Sequence, residues 1–424
     1  MDIFKKIDFL SLSLGFCIGI LPWSERWNTI AIIYLALYLI YKVFLLKTKI
    51  KFKIWEFIAA SALFWISLLW LQSTDDFIMG WKYMERISSA LVFPLLFSWT
   101  LTRFTFRLQL VLLIFLASCI LRYFFLLSQI IDWELVYILD YWKEVLIQFN
   151  QISLNEALHP SYFSLYLGFC VLISYFFLSK ALNFKYRFVW LTLLVFFFLT
   201  VISLGAKMPL IACVLSLMIG MLFKIYRMKS GRQKYLIVAF ASILAVIVFV
   251  IKAPNGIQQD MYNYYSFYKG EDLHKSFDYE KYGTNYSLET WSRTNRIFIW
   301  KSSVQLVKKN FLAGVGTGDM RNELNKQYLE DGQVYLANKN TNTHNQFLDF
   351  LVKFGLIGFL LIVISFWFYL YSAWTGNNTL YFMFLVFLLM CMLTENILNR
   401  QLGISFFFFF NSLFLFSKKG NRLV

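Results

Sequence analysis

The residue best placed for chemistry in this sequence is a histidine beside the start of a long apolar segment. His344 lies between a polar stretch ending at Asn342 and the apolar segment 347–370. Thr343 and Gln346 have capping-box spacing, which predicts a helix start here and places His344 in the first helical turn. The positive end of the helix dipole disfavours an imidazolium there, so we expect a neutral imidazole that can accept a proton. Such a histidine is either a helix cap or part of a site.

Two arginines precede this histidine on a segment with helical spacing. Arg293, Arg296 and Trp300 follow an i, i+3, i+7 pattern, which projects both guanidinium groups from one side of a helix. Arginine offers forked donors that match phosphate oxygens. A neutral histidine nearby can deprotonate an acceptor hydroxyl, and positive charge stabilises a departing diphosphate. The alternative for Arg296 is a structural salt bridge.

Other ionisable residues gather at the ends of apolar segments rather than in their middles. Lys207 lies between two such segments, and Glu395 and Arg400 lie between the last two. Together with the arginines they form a basic cluster at one membrane face. The simpler interpretation, in which side chains snorkel to the interface, fits Lys353 and Arg400 well.

The sequence indicates no metal or cofactor site. The three histidines, His159, His274 and His344, are far apart and lack ligand spacing. His159 and Tyr162 are candidate site residues by location alone, and a proline-started helix cap explains His159 equally well. The glycine-rich stretch 314–319 lacks the ending of a nucleotide-binding loop, so a plain turn is favoured over a phosphate cradle.

The composition is that of a helical membrane protein. The 424 residues are 59% hydrophobic and 21% aromatic, with mean hydropathy +0.60. The 48 Phe and 25 Tyr suit lipid-facing surfaces and interfacial belts. The net charge of +16 lies in short loops, so cytoplasmic loop bias explains it better than nucleic-acid binding. All five cysteines fall inside apolar segments, which indicates neither a disulfide framework nor a cysteine metal site.

Twelve apolar segments are candidate transmembrane helices, although several are short for a hydrocarbon core about 30 Å thick. They are 8–22, 28–46, 54–72, 87–101, 108–128, 160–178, 188–203, 208–223, 235–251, 347–370, 379–393 and 403–417. Basic residues almost without acids occupy alternate loops, whereas the opposite loops are mixed or acidic. This alternation predicts both termini in the cytoplasm. The expected fold class is an all-α polytopic membrane protein.

The lengths of the loops divide the chain into three regions. Residues 1–251 hold nine of the segments, with an amphipathic stretch at 129–159 that we expect to lie on the membrane surface. Residues 252–346 form one large, partly helical periplasmic loop, which is long enough to need its own structure. Residues 347–424 hold the last three segments. Tyrosines in the large loop suit either sugar stacking or an interfacial position.

The order of three motifs across residues 190–410 resembles that of a known family. It is the O-antigen ligase and polymerase family. Its signature at the start of a span resembles the pattern formed here by His344, Asn345, Leu348, Gly355 and Gly358.

Two further motifs support this resemblance. Arg296 four residues before Trp300, followed by an amphipathic helix and the glycines of 314–318, is similar to the long periplasmic loop of the family. The stretch 203–208 resembles its short motif between spans, with Lys207 where an arginine usually stands. Lysine keeps the charge but loses the bidentate fork.

The resemblance implies a multi-spanning glycosyltransferase with a GT-C-like fold in the bacterial inner membrane. Such enzymes take a glycan from undecaprenyl diphosphate at the periplasmic face without nucleotide or metal. By this resemblance His344 is the general base or acceptor-positioning group, and Arg296 and Lys207 hold the diphosphate. Arg293 joins the diphosphate site because of its helical phase.

The motifs leave the acceptor open. Family members join finished polymer to lipid A-core, polymerise repeat units, or attach glycan to protein. One dominant outer loop favours the ligase, whereas two large loops would suit the polymerase. The expected partners are the lipid-linked donor, one of these acceptors and membrane lipid, with no nucleic acid. A lipid-linked glycan transporter is the alternative of another class, and it predicts a charged or hydrated path that the apolar segments do not show.

Overall fold

The computed structural model describes residues 8–45, 53–129, 160–204, 206–226 and 296–417. These residues are helical, and no strand occurs among them. The helices in chain order are α1 Phe9–Gly19, α2 Glu25–Leu45, α3 Ile54–Ala60, α4 Ala62–Leu69, α5 Phe77–Arg86, α6 Ser89–Thr100, α7 Leu108–Ser128, α8 Pro160–Leu178, α9 Phe184–Ser203, α10 Lys207–Tyr226, α11 296–309, α12 Met320–Glu330, α13 Val334–Asn338, α14 Gln346–Thr375, α15 Thr379–Cys391 and α16 Gln401–Phe416.

The described helices define a helical membrane protein. Within them, six are long and apolar enough to cross a membrane, namely α2, α7, α8, α9, α10 and α14. The bent pair α3 and α4 would make a seventh, and α1, α15 and α16 are apolar but shorter. Each predicted span lies on a described helix except 235–251, which falls outside the described residues. The total of twelve spans therefore stays a prediction.

The predicted span 54–72 is not one straight helix. It consists of α3 and α4, bent by 69° at Ser61. Backbone carbonyls at the bend have a polar partner, because the Tyr369 hydroxyl lies 2.8 Å from the carbonyl oxygen of Ala59 and 3.0 Å from that of Ala60. A helix can break at membrane depth when other groups satisfy its freed backbone. Hydropathy cannot show such a break, since the partner lies on α14.

The C-terminal helix α16 is a core helix rather than a lipid-facing one. The phenylalanines 406–410 are each at most 1% exposed. The ring centroid of Phe410 lies 4.7 Å from that of Phe169 on α8 and 5.2 Å from that of Phe115 on α7. A helix that is apolar all round belongs in an interior. The composition argument for lipid-facing phenylalanine is therefore wrong for this run.

Residues 296–346 form a helical unit with a small apolar core of its own. Helices α11, α12 and α13 bury Ile299, Leu324 and Tyr328, and Val352 of α14 joins them. Burial raises the pKa of Tyr328 above its ordinary value, so its hydroxyl stays neutral. The described part of the predicted large loop is thus helical. The tyrosine-rich stretch before it lies outside the described residues.

Helix α14 is broken at a glycine beside the candidate site. Gly355 has φ +60° and ψ −166°, a conformation that only glycine adopts readily. A Cβ atom there would lie 2.3 Å from the carbonyl oxygen of Leu312, and one on Gly314 would lie 2.5 Å from the backbone nitrogen of Gly355. The close approach of these two backbones therefore requires glycine on both sides.

The glycine-rich turn 314–319 supplies the hydrogen bonds that the break in α14 leaves open. The N–H groups of Val315 and Gly316 donate to the carbonyl oxygens of Val352 and Lys353 at 2.9 and 3.0 Å. These donors are occupied by protein and do not face a phosphate. The plain-turn interpretation is therefore the right one, and the turn caps the first part of α14.

Candidate functional site

Three of the predicted site residues meet at the start of α14. Arg296 Nη2 lies 3.5 Å from Glu395 Oε1, and His344 Nδ1 lies 3.7 Å from Glu395 Oε2. One carboxylate thus faces a guanidinium with one oxygen and an imidazole with the other. The side chains of Arg296, Glu395 and His344 are 37%, 29% and 34% exposed, so solvent and ligands can reach them.

His344 does not lie in the first turn of α14. The helix begins at Gln346, and Asn345 is its N-cap, because Asn345 Oδ1 accepts from the N–H groups of Phe347 and Leu348 at 2.9 and 3.1 Å. The predicted capping box at Thr343 is therefore wrong, and so is the dipole argument that depended on it. Asparagine caps at least as well as threonine, and here it is two positions closer to the first free N–H groups.

His344 occupies a turn just before the cap. Its φ of +45° is in the left-handed region, which non-glycine residues adopt only a few per cent of the time. Asn342 Oδ1 accepts a hydrogen bond from the backbone N–H of His344 at 3.2 Å and supports this turn. Nδ1 of His344 is buried and makes no hydrogen bond within the described part of the chain. The nearby Glu395 carboxylate is the natural acceptor if the pair contracts by a few tenths of an ångström.

Helix α11 carries Arg296 and is tied to the histidine segment. The indole N–H of Trp300 donates to the carbonyl oxygen of Thr343 at 3.1 Å. Trp300 lies four residues after Arg296, so the two share one face of α11. Arg293 lies outside the described residues, and its place beside Arg296 stays a prediction.

The other candidate residues have mixed outcomes. The Tyr162 hydroxyl donates to the carbonyl oxygen of Asn396, directly after Glu395, at 3.2 Å. The Arg400 guanidinium carbon lies 6.0 Å from the centroid of the Tyr162 ring, a cation–π contact. Lys207 is the first residue of α10 and is half-buried. His159 lies outside the described residues.

A buried ion pair lies inside α14, one turn beyond the cap. Lys353 Nζ lies 2.7 Å from Asp349 Oδ2, and both side chains are almost fully buried, at 4% and 0% exposed. The prediction that Lys353 snorkels to water is therefore wrong. The ring of Tyr83 lies 4.1 Å from the ammonium, measured to its centroid. Burial raises the pKa of Tyr83, so its phenol stays neutral beside the charge.

The carboxylate of Asp349 is saturated with donors. Its Oδ1 accepts from Asn396 Nδ2 at 2.9 Å and from Asn399 Nδ2 at 2.7 Å. Its Oδ2 accepts from Lys353, and from Gln346 Nε2 at 3.4 Å. Buried charge is tolerated when it is paired and fully hydrogen-bonded. This network holds the loop after α15 against the start of α14.

Sequence reasoning missed this network but had one signal for it. Asp349 and Lys353 are four residues apart on a predicted helix, a spacing at which opposite charges meet. The asparagines had no such signal, because their contacts join the loop after α15 to residues of α14 that are about 50 positions away in the chain.

Arg122 on α7 is a second charged residue that the sequence reasoning missed inside a span. It is 5% exposed, and its guanidinium carbon lies 5.5 Å from the Trp23 ring and 5.2 Å from the Phe125 ring. The hydroxyl of its neighbour Tyr123 lies 3.4 Å from that of Ser203, so this part of α7 packs beside the end of α9.

No metal centre is evident in the described ranges. Among them, no group of three or more histidine, cysteine or acidic side chains is arranged to hold an ion. Metal independence stays a prediction. All five cysteines are buried and free, in keeping with their places in apolar segments.

The fold and the site define a helical membrane protein with a guanidinium, a carboxylate and an imidazole gathered at the end of a helix. Residues 192–363 match the family model described as O-Antigen ligase, which confirms the family resemblance seen in the motifs. The matched range includes Lys207, Arg296 and His344 but ends before Glu395. No curated protein matches the chain. The family match, which covers residues 192–363, supports a glycosyltransferase-type membrane enzyme of the O-antigen ligase and polymerase class.

Proposed function

We propose that the protein is an O-antigen ligase, which moves a glycan from undecaprenyl diphosphate to lipid A-core. One observation carries the proposal: Arg296, Glu395 and His344 meet at one half-exposed place. The guanidinium suits a diphosphate, and the carboxylate and imidazole suit a hydroxyl that must lose its proton. The family match supports the reaction class. The single dominant outer loop that the sequence predicts favours the ligase over the polymerase.

In the proposed reaction, the Nδ1–H of His344 donates to Glu395 and the other ring nitrogen, Nε2, takes the proton of the acceptor hydroxyl. The acceptor oxygen bonds to the anomeric carbon of the glycan. The bond from that carbon to the diphosphate oxygen breaks, and its electron pair leaves with undecaprenyl diphosphate. Arg296 stabilises this leaving group. The distance of 3.7 Å is longer than a hydrogen bond, and catalytic hydrogen bonds often tighten to full strength only when the substrate binds.

The proposed orientation places the site at the periplasmic face of the inner membrane, with both termini in the cytoplasm and twelve spans. The alternation of charge supports it. Basic residues concentrate at 42–53, 180–187 and 224–234, and acidic residues occupy the opposite stretch 132–144. The large loop 252–346 then lies on the periplasmic side with Arg296 and His344.

Deletion of the gene distinguishes the ligase from its relatives. A ligase leaves undecorated lipid A-core while polymer accumulates on the lipid carrier. Single capped repeats on the core would instead indicate a polymerase, and loss of glycan from protein would indicate a protein transferase. Either the polymerase outcome or the protein-transferase outcome would overturn the ligase proposal, but both would keep the protein in the glycosyltransferase class.

A purified system tests the chemistry itself. The protein in lipid nanodiscs, given a lipid-diphosphate glycan donor and lipid A-core, is expected to form glycosylated core. Arg296→Ala should reduce the rate about 10²–10³-fold, as loss of one charge-stabilising donor does. Arg296→Lys is the matched variant and should recover part of this loss, because it restores charge without the fork. Full activity of Arg296→Ala would remove the arginine from the mechanism.

A further inference from the structure

One amide side chain joins the two loops that carry His344 and Glu395. Asn396 directly follows Glu395 and is 3% exposed. Its Nδ2 atom donates to Thr343 Oγ1 at 2.8 Å and to Asp349 Oδ1 at 2.9 Å. Thr343 directly precedes His344 and is fully buried. The residue after Glu395 is therefore hydrogen-bonded to the residue before His344, through the Nδ2 atom of Asn396.

The direction of these hydrogen bonds is determined by their partners. The Thr343 hydroxyl donates to the carbonyl oxygen of Asn345 at 3.0 Å, so its oxygen is left to accept from Asn396. The Asp349 carboxylate accepts only. An amide nitrogen with two hydrogens satisfies both acceptors, whereas an aspartate at 396 would face them with a third acceptor.

Two main-chain contacts close the same junction from the other side. The N–H of Gln346 donates to the carbonyl oxygen of Met392 at 2.9 Å, and the N–H of Leu398 donates to Gln346 Oε1 at 2.7 Å. These contacts keep the loop after α15 beside the start of α14. Neither contact involves Thr343, the residue before His344. The contact with the Thr343 side chain is made by Asn396.

We propose that Asn396 is a positioning residue, which sets the separation of Glu395 and His344 by holding the hydroxyl of Thr343. The inference rests on the proposed function, in which that pair activates the acceptor. His344 is in a left-handed turn and its Nδ1 lies 3.7 Å from the carboxylate, so a small loop shift decides whether a hydrogen bond forms. Misplacement of a catalytic group by about 1 Å can reduce a rate about 10²-fold.

Asn399 provides a matched control. Its Nδ2 donates to the same carboxylate oxygen, Asp349 Oδ1, at 2.7 Å, and its Oδ1 accepts from Lys353 at 2.9 Å. Removal of either asparagine side chain therefore takes one donor from Asp349. Removal of Asn396 also releases Thr343, whereas removal of Asn399 releases the inner ammonium of Lys353.

The experiment compares purified variants in nanodiscs for thermal stability and for transfer from a lipid-diphosphate donor. Asn396→Ala is expected to lower kcat about 10–100-fold while the donor KM changes less than about twofold. Asn399→Ala should lower the melting temperature by a similar amount but change kcat less than about threefold. Thr343→Val should reproduce the kcat loss of Asn396→Ala, and Thr343→Ser, which keeps the hydroxyl, should restore it.

A double variant decides between positioning and general stability. If the two residues act through one hydrogen bond, Thr343→Val with Asn396→Ala should be no slower than Asn396→Ala alone. Multiplicative losses, or an equal kcat loss in Asn399→Ala, would overturn the positioning role. Unchanged activity of His344→Ala would instead overturn the proposed function, so the two failures are distinguishable.

Discussion

Two charged clusters meet at the start of α14, and they are built in different ways. In the outer cluster, Glu395 lies 3.5 Å from Arg296 and 3.7 Å from His344, and about a third of each side chain is exposed. In the inner cluster, Asp349 and Lys353 are buried, lie 2.7 Å apart, and have neutral amides on their remaining sites. The outer groups are loosely paired and reachable, which suits groups that must exchange partners with a substrate. The inner groups are saturated, which suits a scaffold.

The two clusters are similar in residue composition but are expected to have different roles, one in activity and one in stability. Both clusters contain a basic side chain beside an acid near the same helix end. Of the two pairs, only the inner one is so buried that loss of one partner would leave the other charge without a partner and without solvent. The outer pair contributes little to stability, because half-exposed ion pairs are worth about 0–1 kcal/mol. Substitutions should therefore affect activity in the outer cluster and folding in the inner one.

The largest effect is expected for His344→Ala in the outer cluster. Loss of a general base reduces rates about 10²–10⁴-fold. The melting temperature should hardly change, because the imidazole is half-exposed and its contact with Glu395 is long. Transfer assays and thermal unfolding of the same preparation provide the measurements. A clear fall in melting temperature would show that His344 has a structural role. The outer cluster would then contribute to stability as the inner one does.

The next effect is expected for Asp349→Ala in the inner cluster. Removal of one partner from a buried ion pair costs about 3–5 kcal/mol, because Lys353 is left charged and unpaired. The yield of folded protein from membranes should fall sharply, as measured by size-exclusion chromatography and thermal unfolding.

The matched variant removes both charges. Asp349→Leu with Lys353→Met replaces the pair by apolar side chains and should recover part of the stability lost in Asp349→Ala, because no charge is stranded although Asn396 and Asn399 still lose their acceptor. A double variant as unstable as the sum of its single variants would show that the two charges do not act as a pair.

A smaller effect is expected at the break in α14. Gly355→Ala places a Cβ atom 2.3 Å from the carbonyl oxygen of Leu312 at a φ of +60°, and should cost about 1–3 kcal/mol in strain, with the contact adding to it. Gly332→Ala is the control, because Gly332 has φ +71° but no atom within 4 Å of the added carbon. Equal losses of stability would show that the close packing of the turn on α14 contributes nothing.

The sequence predicted those parts of the fold that depend on local pattern. Apolar segments located the apolar helices but not the more polar α5, α12 and α13. The family motifs pointed to Arg296 and His344, which the structure brings to the same carboxylate. The features it missed depend on distant partners. At the bend near Ser61 a freed carbonyl group accepts from Tyr369, and N–H groups of the turn 314–319 donate to carbonyl groups of α14.

The start of α14 was misplaced for a local reason. Thr343 and Gln346 match the capping-box pattern, but Asn345 lies between them and competes for the same free N–H groups. Since either residue can cap a helix, spacing alone cannot decide. The structure shows that the Thr343 hydroxyl instead accepts from Asn396. This contact joins two loops, and a periodic sequence pattern cannot predict it.

The smallest effect is expected at Lys207, the first residue of α10. Lys207→Arg should change transfer less than about threefold, since the resembling motif carries arginine and the charge is kept. Lys207→Gln should lower transfer about tenfold if the charge holds a diphosphate. Lys207 is the first residue of α10, where the helix dipole opposes a positive charge by about 0.3–1 kcal/mol. A functional charge is therefore indicated if Lys207→Gln loses activity while its melting temperature is unchanged or higher. A lower melting temperature with activity lost in proportion would assign Lys207 to the structure, as with Asp349.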